Sequence, residues 1–429
     1  MSTSGRIITG PLALVLLANV GTLTSFFLLF SVTAMYAVAA GIGSGGAGLV
    51  TGVLLLGTVL AELAATSLMT RFGQRAVLCA GLSLLGLPAL ALLFPAPLAL
   101  IVAVSFVRGF GFGLSGVVTG TLVAMLLPPD RRGEGLGLAG IAESVPAIVA
   151  LPSGVWLAAH FGYSTVIVAT AATALAPLVA FRWLPGSPAR RRTAPGQTAS
   201  DQTASDQTVL SAAGDSDGDT AGLLTALRDS GSRRLTYVFA ASAAAAGLVD
   251  AFLPLAHGVG ASIGAAGLLA AAVAATISRW WAGRHGDRHG HARLLLPGLV
   301  LSSLGMAAMI WLSSPAVVIA AMCVFGTGFG ITENAIFAVL IERMPSRLGT
   351  ASTLWNLAYD TGYGAGPAMF GLCVARTGYP IGFAIIAVLM LTVLPAAWRE
   401  RTVTAEPVTG EPVIAVLRAA AGDQVACRS

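Results

Sequence analysis

Long apolar runs follow one another along most of this chain, separated by short polar breaks. A helix needs about 20 apolar residues to cross ~30 Å of hydrocarbon. The pattern predicts twelve such helices, over 11–33, 47–69, 76–94, 98–124, 135–158, 163–183, 235–257, 262–282, 294–313, 315–341, 349–374 and 380–397. The expected fold is all-α, a polytopic membrane protein. The first run is too long for a signal peptide and lacks a cleavage site, so it reads as a retained span.

The breaks are not equivalent. All 24 basic residues are arginines, and all but Arg108 and Arg376 lie at or beyond alternate, same-side ends of the runs. Arg71 with Arg75, Arg131 with Arg132, Arg284 with Arg288 and Arg293, and Arg343 with Arg347 mark one side. The loops at 95–97 and 313–315 carry no charge. Basic loops resist translocation, so the arginine-bearing side is cytoplasmic and both termini are expected there.

Composition agrees. With 56% apolar and 10% charged residues, a 429-residue chain cannot cover a soluble surface. The net charge of +5 is explained by arginines that orient the chain and meet anionic lipid. No nucleic-acid partner is expected. Cys79, Cys323, Cys373 and Cys427 have no metal-ligand spacing and are expected as free thiols. The chain has no Gly-Lys-Ser/Thr nucleotide loop and no Ser/His/Asp arrangement, so neither an enzyme, a cofactor nor ATP as energy source is expected.

Residues 186–234 break the apolar pattern. They are rich in Pro, Ser, Thr, Asp, Gln and Gly, and repeat Gln-Thr-Ala-Ser-Asp in tandem at 197–206. Such a stretch cannot bury enough apolar surface to fold, and a disordered cytoplasmic linker is expected. The expected organisation is a six-helix bundle over 1–185, the linker over 186–234, a second six-helix bundle over 235–398, and a cytoplasmic tail over 399–429. Residues 412–421 are expected as at most a short surface helix. Two six-span halves joined by a long inner loop outline a transporter built from repeats.

The halves can be compared directly. After the second span comes Thr66-Ser-Leu-Met-Thr70-Arg71-Phe-Gly73-Gln-Arg75, and after the eighth comes Gly283-Arg-His-Gly-Asp287-Arg288-His-Gly290. Both place Arg-x-Gly in a tight inner turn. Span four carries Arg108-Gly-Phe-Gly-Phe-Gly113, span five Pro152-Ser-Gly154, and span eleven Gly362-Tyr-Gly364-Ala-Gly366-Pro367. On these motifs the chain resembles the major facilitator superfamily over nearly its whole length, linker and tails apart. The copy at 283–290 matches the family's Gly-x-x-x-Asp-Arg-x-Gly signature; the first copy departs from it at Thr66 and Thr70.

The resemblance implies two pseudo-symmetric six-helix bundles. It further implies a cytoplasmic gate formed by Arg71, Gly73, Arg75, Gly283, Asp287, Arg288 and Gly290. A carboxylate beside a helix N-terminus meets unpaired amides and the positive end of a dipole. Asp287 is thus expected to latch onto the start of span five near Gly133 when the cytoplasmic side closes. Thr70 offers the reciprocal latch only a neutral hydrogen bond.

Charges inside the membrane are the remaining chemistry. Each costs ~2.5–3.5 kcal/mol on insertion scales unless paired or facing water. At ~1.5 Å per residue, Glu62 and Glu143 lie ~12 Å from the inner face and Arg108 ~15 Å from the outer face. This common depth predicts a cluster in which one carboxylate neutralises Arg108 and the other titrates. In the second half Asp360 and Glu333, with Asn334 and Asn356 nearby, have no matching mid-membrane arginine, an arrangement that suits a proton or a cationic substrate group. Arg279 at the inner end of span eight is a candidate partner for Glu333. Asp250 is expected toward the outer vestibule, and Asn19 on the cavity wall.

Trp355 and Tyr359, beside Asp360, are candidates for stacking on a substrate. Trp280, Trp281, Trp311 and Trp398, at span ends, read as interfacial anchors. His285, His289 and His291 have ligand-like spacing but no supporting Cys or carboxylate pair, so no metal is expected.

By resemblance, the expected function is proton-coupled efflux of a small hydrophobic compound, such as an antibiotic or secondary metabolite, by a monomer in the plasma membrane. The partners are the lipid bilayer, the small-molecule substrate and protons. An importer or proton symporter of a nutrient such as a sugar is the alternative, counted against mildly by the scarcity of amide side chains on inner helices. A non-transporting sensor or scaffold would have no reason to carry mid-membrane charge.

Overall fold

The computed structural model describes residues 10–126, 132–181, 225–256, 259–344 and 347–403, with backbone alone at 124, 132–143, 180–181, 348 and 401–403. Thirteen α-helices are described. In the first half they are α1 (Gly10–Ala39), α2 (Gly43–Phe72), α3 (Gln74–Gly86), α4 (Leu98–Leu126), α5 (Arg132–Phe161) and α6 (Tyr163–Phe181). The second half holds α7 (Ser230–Phe252), α8 (Gly260–His289), α9 (Leu295–Ala308), α10 (Pro315–Arg343), α11 (Leu348–Thr377), α12 (Tyr379–Thr392) and α13 (Leu394–Val403). A 3-10 segment, Leu87–Leu93, completes the third span, and α13 continues the twelfth. Among the described residues, ten spans are long and apolar enough to cross a membrane, and Tyr163–Val179 is a shorter apolar helix. The more polar α11, the eleventh span, runs beside them and brings the number to twelve. The all-helical, twelve-span architecture is the one the apolar pattern predicts.

Ends shift where polar residues are absorbed into helix. The eighth span runs through the arginine motif to His289, because Gly283–His289 continues the helix and only Gly290 breaks it, at φ +89°. Gly73 does the same at φ +83° after α2. A residue with a side chain is strained in that region, which accounts for glycine in both turns. The seventh span starts at Ser230 rather than 235. Asp229 caps it by accepting a 2.7 Å bond from the Ser232 N–H. That bond, helped by Arg343 and Arg234, holds the Asp229 carboxyl below the usual carboxylate range. The cap therefore stabilises above the ordinary carboxylate pKa and is lost as pH falls through the depressed value. Residues 186–224 of the expected linker and 404–429 of the tail lie outside the described residues.

The two halves repeat each other at atomic register. Gly109, Gly111 and Gly113 of α4 face Leu54, Leu85 and Thr58, while Gly326, Gly328 and Gly330 of α10 face Ala271, Ser302 and Ala275. Every partner is shifted by the same number of positions. A β-carbon at Gly109 would lie 1.8 Å from the Leu54 carbonyl oxygen, and one at Gly326 would lie 2.2 Å from that of Ala271. Backbone on both sides cannot yield, so these glycines set how closely α4 approaches α2 and α10 approaches α8. Gly109→Ala is expected to destabilise by about 1–3 kcal/mol through overpacking. The check is the thermal midpoint in detergent; an unchanged midpoint would mean the helices can separate freely.

Contact between the halves is closest at the outer ends of α2 and α11. Gly48 abuts the Pro367 carbonyl, Gly52 meets Ala368, Gly364 meets the Leu55 side chain, and Gly371 meets the Ser44 carbonyl. Glycine on both helices lets the backbones touch and seals the outer side. The molecule is outward-closed.

Candidate functional site

Beneath this seal lies a cavity of about 110 Å³, walled by both halves. Phe27 of α1 and Ser144 and Leu151 of α5 line it from the first half. Asp250 of α7, Arg279 of α8, Phe325 and Phe329 of α10, and Tyr359 and Tyr363 of α11 line it from the second. Alanines and Thr276 of α8 complete the wall, leaving a mostly apolar chamber with five aromatic side chains and two ionic groups.

Those two groups differ in state. Arg279 is hydrogen-bonded to Glu333 of α10, an ion pair inside the second half. Asp250 accepts a hydrogen bond from the Tyr363 hydroxyl, and the Ser31 hydroxyl of α1 bonds the Asp250 carbonyl across the halves. Among the described residues no guanidinium or imidazole bonds the Asp250 carboxyl. This corrects its expected place: Asp250 sits in the central chamber, not at an outer vestibule, because α7 ends in a short 3-10 turn at Leu253–Leu255 that keeps its last residues buried.

The expected cluster around Arg108 does not form with Glu62. Arg108 is 1% exposed and donates to two backbone carbonyls, Leu85 of α3 at 3.1 Å and Ser25 of α1 at 3.1 Å. Among the described residues it meets no carboxylate; the Glu143 side chain lies outside them. Glu62, on α2, is not among its partners. Depth along the axis does not fix the direction a side chain takes around its helix.

The aromatic candidates divide. Tyr359 lines the cavity, with Tyr363 stacked beneath it at 5.1 Å between ring centroids. Trp355 stacks at 5.1 Å on Phe239 and meets Phe337 edge-on, and so belongs to the packing of the second half rather than to the chamber wall. Asn356 is exposed and bonds back to the Ser352 carbonyl, and Asn334 lies against Gly283 rather than in the chamber. Asn19 accepts from Thr119 at 3.2 Å inside the first half.

On the cytoplasmic side, Asp287 is three-quarters exposed and lies 3.6 Å from His291 in its own turn. Among the described residues it is bonded to no other helix, and the start of span five near Gly133 has no side chains among them. His291 also bonds Glu342 at 2.7 Å. His285 stacks on Trp281 and His289, and among the described residues no group of side chains is arranged to hold a metal. Trp280, Trp281, Trp311 and Trp398 are all exposed, as interfacial anchors should be.

Three features escaped sequence reasoning. Tyr363 was hidden inside a glycine motif, although its spacing from Trp355 and Tyr359 puts all three on one helix face. Phe325 holds the position in α10 that Arg108 holds in α4, a correspondence readable from the repeated Gly-x-Gly-x-Gly. Glu400 fell in the expected tail, yet it is fully buried and bonded to Arg234 at 2.5 Å and to Arg343.

Two halves of like topology around a central chamber, sealed on one side, define an alternating-access membrane transporter fold. The sequence matches the family model described as Major Facilitator Superfamily over residues 14–367. The chain belongs to that superfamily. No curated protein matches it. Among solved structures it is similar to a mutant of the nucleoside transporter NupG, at TM-score 0.67 and 12% identity, over 90% of this chain and 99% of that one. It is also similar to the xylose transporter XylE from E. coli in a partially occluded inward-open conformation, at TM-score 0.66 and 15% identity, over 91% and 97%. At such identities the likeness is one of fold.

Proposed function

We propose that this transporter expels a small, largely apolar cationic compound across the plasma membrane, as a monomer, in exchange for protons. The observation that carries the reading is the chamber: Phe27, Phe325, Phe329, Tyr359 and Tyr363 surround an Asp250 carboxylate that has no cationic partner among the described residues. Aromatic faces and one carboxylate together suit an organic cation, which gains ring contacts and charge pairing at once. The chamber is smaller than the ~300–1,000 Å³ of ordinary ligand pockets. Its walls must part to admit a whole drug-sized molecule.

Nutrient uptake is the second reading, favoured by the nucleoside and xylose transporters among the structural neighbours. The five aromatic side chains of the wall favour an aromatic cation over a sugar, whose hydroxyl groups, each needing a partner when buried, would have to be met by Ser144, Asp250, Thr276, Arg279, Tyr359 and Tyr363.

Inverted membrane vesicles with an acidic interior separate the two. Aromatic cationic dyes should accumulate and be released by a protonophore, while xylose and uridine should not move. Accumulation of either nutrient in right-side-out vesicles with an alkaline interior, with dyes ignored, overturns the proposal. Asp250→Asn should weaken dye binding about 10- to 100-fold, the value of a hydrogen-bonded charge of ~1.5–3 kcal/mol. It should leave neutral analogues nearly unaffected.

A further inference from the structure

Asp250 is fixed at both its main chain and its carboxylate. The Ser31 hydroxyl of α1 bonds its main-chain carbonyl, and the Tyr363 hydroxyl of α11 donates to its carboxylate oxygen Oδ2. Tyr363 has little freedom to withdraw. It is 2% exposed, and its ring centroid lies 5.0 Å from that of Phe30 in the first half and 5.1 Å from that of Tyr359. Gly247 lets its backbone close directly on α7. Among the described residues nothing else bonds the carboxylate, so Oδ1 is the oxygen left to a ligand in the chamber.

We propose that this half-occupied carboxylate selects the head group of the substrate: a cation with a single N–H, such as a tertiary ammonium carrying apolar or aromatic groups, in preference to a guanidinium or a primary ammonium. The proposal rests on the cation-efflux reading above and deepens it, narrowing the substrate class at the same site. A carboxylate with both oxygens open receives a guanidinium as a fork, through two parallel N–H bonds. The phenol on Oδ2 stands where the second arm of that fork would go. One N–H onto Oδ1 keeps the charge pairing and needs no second acceptor.

The rest of the wall makes surplus N–H groups costly. Its other polar side chains are the hydroxyls of Ser144, Thr276 and Tyr359 and the guanidinium of Arg279. The Thr276 hydroxyl is turned back onto the Ala272 carbonyl of its own helix. Arg279, paired with Glu333, only donates hydrogen bonds and repels a second cation. An N–H buried without an acceptor loses its hydration with no return. Methyl or aryl groups on the nitrogen instead meet Phe27, Phe325, Phe329 and Tyr359, whose rings attract the charge. Because Asp250 and Tyr363 are pinned in advance, binding need not order them.

The test uses the purified full chain in lipid nanodiscs and a pair of probes that differ only in the head, naphthylmethyl-dimethylammonium and naphthylmethyl-guanidinium. Affinities are read by titration calorimetry at neutral pH, where both are cations. The dimethylammonium should bind about tenfold more tightly, the worth of one hydrogen bond to a charged group. Tyr363→Phe keeps the ring in its packing and frees Oδ2. It should strengthen the guanidinium relative to the dimethylammonium by about tenfold, erasing the ranking. Asp250→Asn should weaken both. Equal affinities in the parent, or a tighter guanidinium, overturn the proposal, as does a Tyr363→Phe chain that keeps the parent ranking. The parent ranking alone decides if that variant fails to fold. If neither probe binds, the cation reading falls together with the proposal. Ranked binding without proton-driven dye accumulation in vesicles would sink the efflux reading and leave the head-group selectivity standing; dye accumulation with unranked heads would do the reverse.

Discussion

Arg108→Met should abolish transport while leaving the fold as stable as before or slightly more so. The guanidinium is buried in the first half, bonded to the Leu85 and Ser25 carbonyls and to no described carboxylate. Carbonyls inside helices already accept from their own backbone, so losing the arginine orphans nothing. Methionine fills most of the volume, and the desolvation cost of several kcal/mol that a buried ion bears is removed. A charge kept at such a cost is expected to serve function rather than stability. The check is paired: thermal midpoint in detergent and dye flux in vesicles. A midpoint lowered by about 10 °C or more would instead make Arg108 a structural tie between α1, α3 and α4.

Glu400→Gln should have the opposite signature, a large loss of stability. The Glu400 carboxylate is 0% exposed and bonds Arg234 of α7 at 2.5 Å and Arg343 of α10. One anion thereby ties α13 to two other helices at the cytoplasmic end of the second half. Removing it leaves two guanidiniums that are only 28% and 20% exposed facing each other. Breaking such a partly buried network costs about 3–5 kcal/mol. Adding Arg234→Met and Arg343→Leu should restore most of the loss, because the charges then vanish together. Failure of that triple variant to recover would mean Glu400 acts through shape, not charge.

The spans were legible in the sequence because hydrocarbon imposes a length and loop arginines a side. The repeat was legible too, in the paired Arg-x-Gly turns. The site was legible only by residue type. Glu62, Asp360, Glu333 and Asp250 were marked by the cost of burying them, but their partners were not, since pairing depends on rotation about each helix and on contacts between halves far apart in sequence. Thus Glu62 was grouped with Arg108, which instead bonds the Leu85 and Ser25 carbonyls, while Arg279 does reach Glu333. Glu400 lay beyond the last apolar run, where hydropathy carries no information about burial.

Arg108 has a consequence for energetics on the scale of the whole cell. Clamped by two carbonyls, it must travel with the first half whenever the halves rock. Moving one elementary charge across the full membrane is worth ~2.3 kcal/mol per 100 mV. If rocking carries this arginine through roughly a tenth of that field, voltage alone biases the two states by ~0.2 kcal/mol per 100 mV. The electrical potential then acts on the cycle directly, even in steps where no ion crosses.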